Sequence, residues 1–391
     1  MTVVREASSV DAAGEPRAEE QAQAKTGRDF GPIRWLPRAL LIAGLAYIFL
    51  WRIPHDTGGA AAVASDACIY AIVGLSLNIL IGYTGQLSLG HNGFFGIGAF
   101  AAAYSLTVQE VPFALTFVIA GLVGAAFALL MGIVALRITG LYLALITLVF
   151  GLTLEESLFE VGWLTNAGAG QPADRPEWLF SDTNFFYFCL AFLLVAVYLD
   201  YRLLRSKTGR ALLALKENER VAEAFGINVT VYKLIAFVLS GSLAGVAGAL
   251  LAYRIGIVTA SGLGFTLALT FVLMTVVGGL GSRLGVILGA SLFASLGYIL
   301  EETWMHSVQQ FLSSALSFGS SSAQANIEQF SVGLLGALGL LITLVQFPGG
   351  LAQQFKAFFD WTFGKPFNVH DLVHPGKESG PGTAEGSNVR A

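Results

Sequence analysis

The chain has 391 residues, of which 55% are hydrophobic and only 12% charged, against roughly 25% charged in a soluble domain. That deficit argues against a soluble globular protein, and a formal charge of −4 points to no nucleic-acid partner. Apolar runs of membrane-crossing length recur from Leu40 to Phe347, so the expected fold class is all-α, a polytopic helical membrane protein.

Residues 1–34 are rich in Ala, Glu and Gln and are expected to form a disordered cytoplasmic tail. They lack the basic start and apolar core of a cleavable signal peptide. Residues 35–350 read as one transmembrane domain with about ten spans, near 37–53, 63–83, 87–107, 112–136, 140–160, 184–201, 231–253, 264–281, 284–300 and 330–347. The region 87–107 is Gly-rich, the composition of a broken or half-inserted helix. Residues 351–391 are expected to be a cytoplasmic tail, Pro-, Gly- and charge-rich in its distal part. With both termini inside, the inner segments carry 19 Lys and Arg and the outer ones 3 (Arg52, Arg175, Arg254), as the positive-inside rule requires. All six Trp fall near span ends, where an interfacial aromatic belt lies. Cys68 and Cys189 sit inside apolar segments and read as small buried residues.

One polar, helix-prone island interrupts this pattern, Lys207 to Asn228. Thr208 is the expected N-cap and Gly226 the left-handed stop. Ala211, Leu215, Ala222 and Phe225 fall on one stripe broken by Asn218, and Lys216–Glu219 and Arg220–Glu223 are opposite charges three apart. The expectation is a short amphipathic helix in water beside the membrane. It is either an orienting loop or a docking helix for a cytoplasmic partner.

No GxxxxGK[ST] pattern, HExxH or Cys/His cluster is present. Of the ionisable residues only His91 reads as deep in the membrane, so an internal proton or sodium relay is not expected. The driving energy for transport would then come from a partner. The stretch Asn78–Gly98 interleaves six glycines with Asn78, Gln86, Ser88, His91 and Asn92. Uncharged polar groups beside a fresh helix start suit a neutral zwitterion, which makes these five the candidate lining of a substrate pathway. His91 reads equally well as a hydrogen-bonded interhelical partner. Residues Gly278 to Gly285 are expected to form a tight turn, and Gly241, Gly245 and Gly248 a packing seam.

LSLNILIGYTGQLSLGHNGFFGIGAF (75–100), LRITGLYLALITLVFG (136–151), GRALLALKENERVAEAFGINVTVYKLIAFVLSGSLAGVAGAL (209–250) and VVGGLGSRLGVILGA (276–290) resemble the LivM-type permease subunits of branched-chain amino-acid ABC importers. The resemblance implies a second, LivH-type permease, two cytoplasmic ATPase subunits that use ATP and Mg, a periplasmic substrate-binding protein and an inner-membrane location, with no cofactor in this chain. It places ATPase coupling on Arg210, Lys216, Glu217, Asn218, Glu219, Arg220, Glu223 and Gly226. The family's usual TGGxxG-like stretch reads Thr165-Asn-Ala-Gly-Ala-Gly170 here, and its Gly-Glu reads Gly151-Leu152. Permeases for urea, amides or aromatic acids are the alternative within the family, and a stand-alone channel the alternative outside it. A membrane enzyme has no evident chemistry.

Overall fold

The computed structural model describes residues 59–135, 138 and 140–299. The expected spans 37–53 and 330–347, the segment 301–329, both tails, Arg137 and the tryptophans at 35, 51, 304 and 361 lie outside the described residues. Each of the eight expected spans between 63 and 300 contains a helix. In chain order these are α1 (Ala60–Leu77), α2 (His91–Thr107), α3 (Phe113–Ala135), α4 (Leu141–Glu156) and α5 (Asp182–Arg205). The hairpin α6 (Lys207–Glu217) and α7 (Glu219–Ala224) follows, then α8 (Val229–Ile255), α9 (Phe265–Gly278) and α10 (Arg283–Ile299).

Five of these segments are long and apolar enough to cross a membrane: Ala60–Gly82, Phe113–Val134, Leu141–Glu160, Asp182–Arg205 and Val229–Ile255. The first owes its length to a wide turn, Asn78–Gly82, that continues α1. Helix α2 has 17 residues and starts only at His91, so it rises about 25 Å and falls short of a full apolar crossing of about 30 Å. Residues 87–90 of the expected span are therefore loop, because Gly85 turns the chain at φ 72° and helix does not resume before Gly90.

Helices α1 and α8 form the centre. The first packs along α10, α5 and α8, the second along α3, α2 and α1. Around them α3, α4 and α5 keep broad apolar faces outside, with Leu122, Leu130, Tyr142, Val149, Leu194 and Tyr198 exposed. Such faces are stable against lipid and unstable in water. The small-residue seam forms as expected. A Cβ on Gly241 would lie 2.7 Å from the carbonyl oxygen of Gly124, and one on Gly245 2.4 Å from that of Ala120, so the α3 and α8 backbones touch. The tight turn also forms, with Gly279 and Gly281 at φ 106° and 84°.

At the far end, a two-residue strand β1 (Gln171–Pro172) pairs antiparallel with β2 (Ile257–Val258) and clasps the loop after α4 to the end of α8. Trp163 and Trp178 lie exposed at this end. Cys68 and Cys189 are both buried, as free thiols.

Candidate functional site

Residues 85–90 join α1 and its wide turn to α2 as irregular backbone, and the candidate polar residues lie in this connection and on the helix ends that flank it. Asn78, Gln86, Ser88, His91 and Asn92 are all buried. Ser88 Oγ lies 3.0 Å from His91 Nδ1, and His91 Nε2 lies 2.8 Å from Ser240 Oγ of α8. Ser240 spends its own proton on the Ser76 carbonyl at 2.7 Å. His91 Nε2 therefore donates to Ser240, and a neutral ring leaves Nδ1 to accept from Ser88. Both ring nitrogens are thus occupied: Nδ1 holds the preceding loop through Ser88, and Nε2 ties α2 to α8 and, through Ser240, to α1.

The three amides differ. Asn78 Oδ1 accepts from the Gly281 N–H at 2.8 Å, and Asn92 Nδ2 donates to the Leu263 carbonyl at 3.0 Å. Asn78 Nδ2, Gln86 Oε1 and Asn92 Oδ1 are buried with no hydrogen-bond partner among the described residues. Buried polar atoms are rarely left so. These three amount to one idle donor and two idle acceptors among the buried amides around this connection. Loop and neighbours fit tightly: a Cβ on Gly90 would lie 1.9 Å from the Thr147 carbonyl oxygen of α4, and the Leu89 N–H donates to Thr147 Oγ1 at 3.0 Å.

The polar island corrects the sequence reading in four respects. It is two helices rather than one, broken at Asn218, whose extended backbone (φ −163°) ends α6. The Asn218 side chain accepts from the Arg220 and Val221 N–H groups and so starts α7. Ser206, not Thr208, caps α6, accepting from Gly209 N–H, because α5 runs on to Arg205 and α6 starts at once at Lys207, leaving Ser206 as the one residue between them. Glu219 pairs with Lys233 of α8 at 2.7 Å instead of with Lys216. The buried stripe is Ala211, Leu212, Leu215 and Ala222, while Phe225 stands 83% exposed beyond the end of α7. Gly226 does take the left-handed turn, at φ 81°. Arg210, Lys216, Glu217, Asn218, Arg220 and Glu223 line the exposed side of this hairpin, with Glu219 partly buried where it meets Lys233.

The hairpin is not merely adjacent to the loop. Leu212 shares a core cluster with Ile79, Leu80, Tyr83, Phe94 and Phe237, and Gly85 rests on Lys216, whose Cγ would lie 3.6 Å from an added Cβ. Sequence reasoning also missed the ionisable groups packed inside the bundle. Asp200 is 1% and Lys233 3% exposed. Asp200 accepts from Tyr83 and Arg283, and at the far end Arg254 pairs with Asp66 at 3.2 Å. Each of these groups has a partner of opposite sign within ion-pair distance, which offsets part of the cost of burying it. A lone Asp in an apolar run whose partner lies 83 residues away leaves no local signal, which is why the interior looked emptier than it is. Among the described residues no group of three His, Cys, Asp or Glu could hold a metal ion.

Residues 59–319 match the family model described as branched-chain amino acid transport system / permease component. The high-affinity branched-chain amino acid transport system permease protein LivM of Salmonella typhimurium is 34% identical over 286 residues, which is 65% of either chain. This chain thus spans just under two thirds of that relative's length. The probable branched-chain amino acid transport permease protein LivH of Methanocaldococcus jannaschii is 37% identical over 113 residues, 29% of this chain and 32% of its own. The ribose import permease protein RbsC of Escherichia coli K12 is 26% identical over 71% of this chain and 78% of its own. No solved structure matches. With the family model covering most of the chain and the multi-pass helical bundle agreeing with it, this protein belongs to the permease components of branched-chain amino acid transport systems.

Proposed function

We propose that this chain is the membrane-spanning permease subunit of an ATP-driven ABC importer for branched-chain amino acids, such as leucine, isoleucine or valine, delivered by a periplasmic substrate-binding protein. It crosses the bacterial inner membrane about ten times, with the 1–34 and 351–391 tails and the α6–α7 hairpin in the cytosol. It pairs with a second, LivH-type permease and docks on two ATPase subunits, which use ATP and Mg; the permease itself holds no cofactor.

The observation that carries this reading is the hairpin's double allegiance: Leu212 lies in the core beneath the glycine-rich loop while Phe225 is 83% exposed. An exposed aromatic amid Arg220, Glu223 and Glu219 is the composition of a protein-docking surface. Closure of the ATPase dimer presses on α7 and α6, and Leu212 and Lys216 pass that displacement to residues 79–85. There Asn78 Nδ2 and the start of α2 face a substrate carboxylate, and Gln86 Oε1 and Asn92 Oδ1 its ammonium. Ser88 and His91 hold the loop's shape beside them.

Reconstitution of the purified chain into vesicles, with and without its ATPases, tests the reading. Leucine uptake should require the ATPases, Mg-ATP and the binding protein together. Flux through the chain alone would overturn it in favour of a channel. A cognate binding protein that takes urea, an amide or an aromatic acid but not leucine would overturn the substrate and leave the machine.

A further inference from the structure

Asp200 lies six residues before Ser206, about 9 Å up the same rigid helix from the corner where the hairpin begins. Its Oδ2 accepts from the Tyr83 hydroxyl at 3.1 Å and from Arg283 Nε. Three elements therefore meet on one carboxylate: the helix that carries the hairpin, the segment between α1 and α2, and the start of α10. The Arg283 guanidinium also stands 5.3 Å over the Tyr201 ring, and that of Arg205 4.3 Å over the same ring. Asp200 Oδ1 is buried and reached by no donor among the described residues.

Two physical points follow. A buried ion pair adds little stability over apolar packing, and its better-attested role is to hold one geometry out of several. A guanidinium grips a carboxylate best with two parallel bonds, and here one oxygen is left idle. A one-point grip fixes the relative orientation of its two side chains less than a two-point one would.

We infer that Asp200 is the joint through which tilting of the α6–α7 hairpin moves the Tyr83–Gly85 segment and the α9–α10 turn together. It is a positioning residue for transport, remote from the substrate, and the inference rests on the importer reading above. Gly281 is separately fastened to Asn78, so a pull on Asp200 reaches the α1 side of the polar loop by two routes, at Tyr83 and at Asn78.

The test uses the complete importer complex in proteoliposomes, with ATP hydrolysis and solute uptake read on the same preparation. Asp200→Asn keeps shape and an acceptor for Tyr83 but removes the charge. It should assemble and hydrolyse ATP within about twofold of wild type while uptake falls about tenfold, raising the ATP consumed per solute. Tyr83→Phe, which deletes one hydroxyl, should raise that ratio about threefold. Uptake and hydrolysis falling in proportion, or neither changing, overturns the joint. Should Asp200→Asn fail to assemble, an unchanged ratio in Tyr83→Phe overturns it alone. A wild-type complex with no ATP-driven uptake would instead remove the importer reading.

Discussion

At the hairpin end of the bundle, Arg283 meets a carboxylate that also holds Tyr83, and the helix bearing that carboxylate runs straight into α6. At the clasp end Arg254 meets Asp66 at 3.2 Å, and Arg175 meets Asp182 at 3.0 Å. The ingredients are alike and the fastening is not. Arg175 also donates to the backbone carbonyls of Tyr253 and Arg254 and stacks 4.2 Å over Phe185. The Ala173 N–H donates to the Gly256 carbonyl at 2.8 Å beside the β1–β2 pair. Charges at the clasp end are thus tied to backbone that is itself tied, whereas those at the hairpin end join side chains of three separate elements. Backbone cross-ties resist displacement, and a side-chain junction permits it. One end holds still while the other can be moved.

The largest test of that contrast is Gly90→Ala. Its Cβ would lie 1.9 Å from a backbone oxygen, a clash that should cost about 3 kcal/mol or more, seen as a lower thermal midpoint of the detergent-purified protein. The counterpart Gly256→Ala, at φ 80° with open space around it, should cost only about 1 kcal/mol. Next comes Arg254→Met, which strands Asp66 and should destabilise by about 2 kcal/mol without changing the ATP used per solute. A shift in that ratio would mean the clasp also moves. Phe225→Ala should leave the unfolding midpoint unchanged, since the ring is already exposed, and weaken ATPase docking about tenfold in a binding titration. Smallest is Ala167→Gly. Ala167 holds φ 57° beside Asn166 at φ 50°, where the resembling family has glycines. Relief of left-handed strain, offset by a looser unfolded chain, should stabilise by under about 1 kcal/mol, read from the same melting experiment.

At that Thr165–Gly170 turn four positions take a left-handed backbone, and two of them, Asn166 and Ala167, are not glycine. Elsewhere the glycine pattern was a reliable guide. The α3–α8 seam, the turn at Gly279 and Gly281 and the irregular start of α2 were all readable, because glycine spacing reports close backbone approach directly. The polar residues of the loop were readable as a group, since amides and a histidine inside an apolar run are costly without a purpose. Their individual bonds were not: nothing near His91 in the chain announces Ser240, 149 residues away.

Composition and periodicity alone determined the class, the helices between residues 63 and 300, and the one polar island among them, because lipid compels apolar length and helical hydrogen bonding. Tertiary structure decided where the island breaks, which of its residues turn inward and which acid meets which base. Those choices depend on side chains from segments far apart in the chain competing for one buried place. Asp200, unremarked in its own helix, becomes a junction only when Tyr83 and Arg283 arrive beside it.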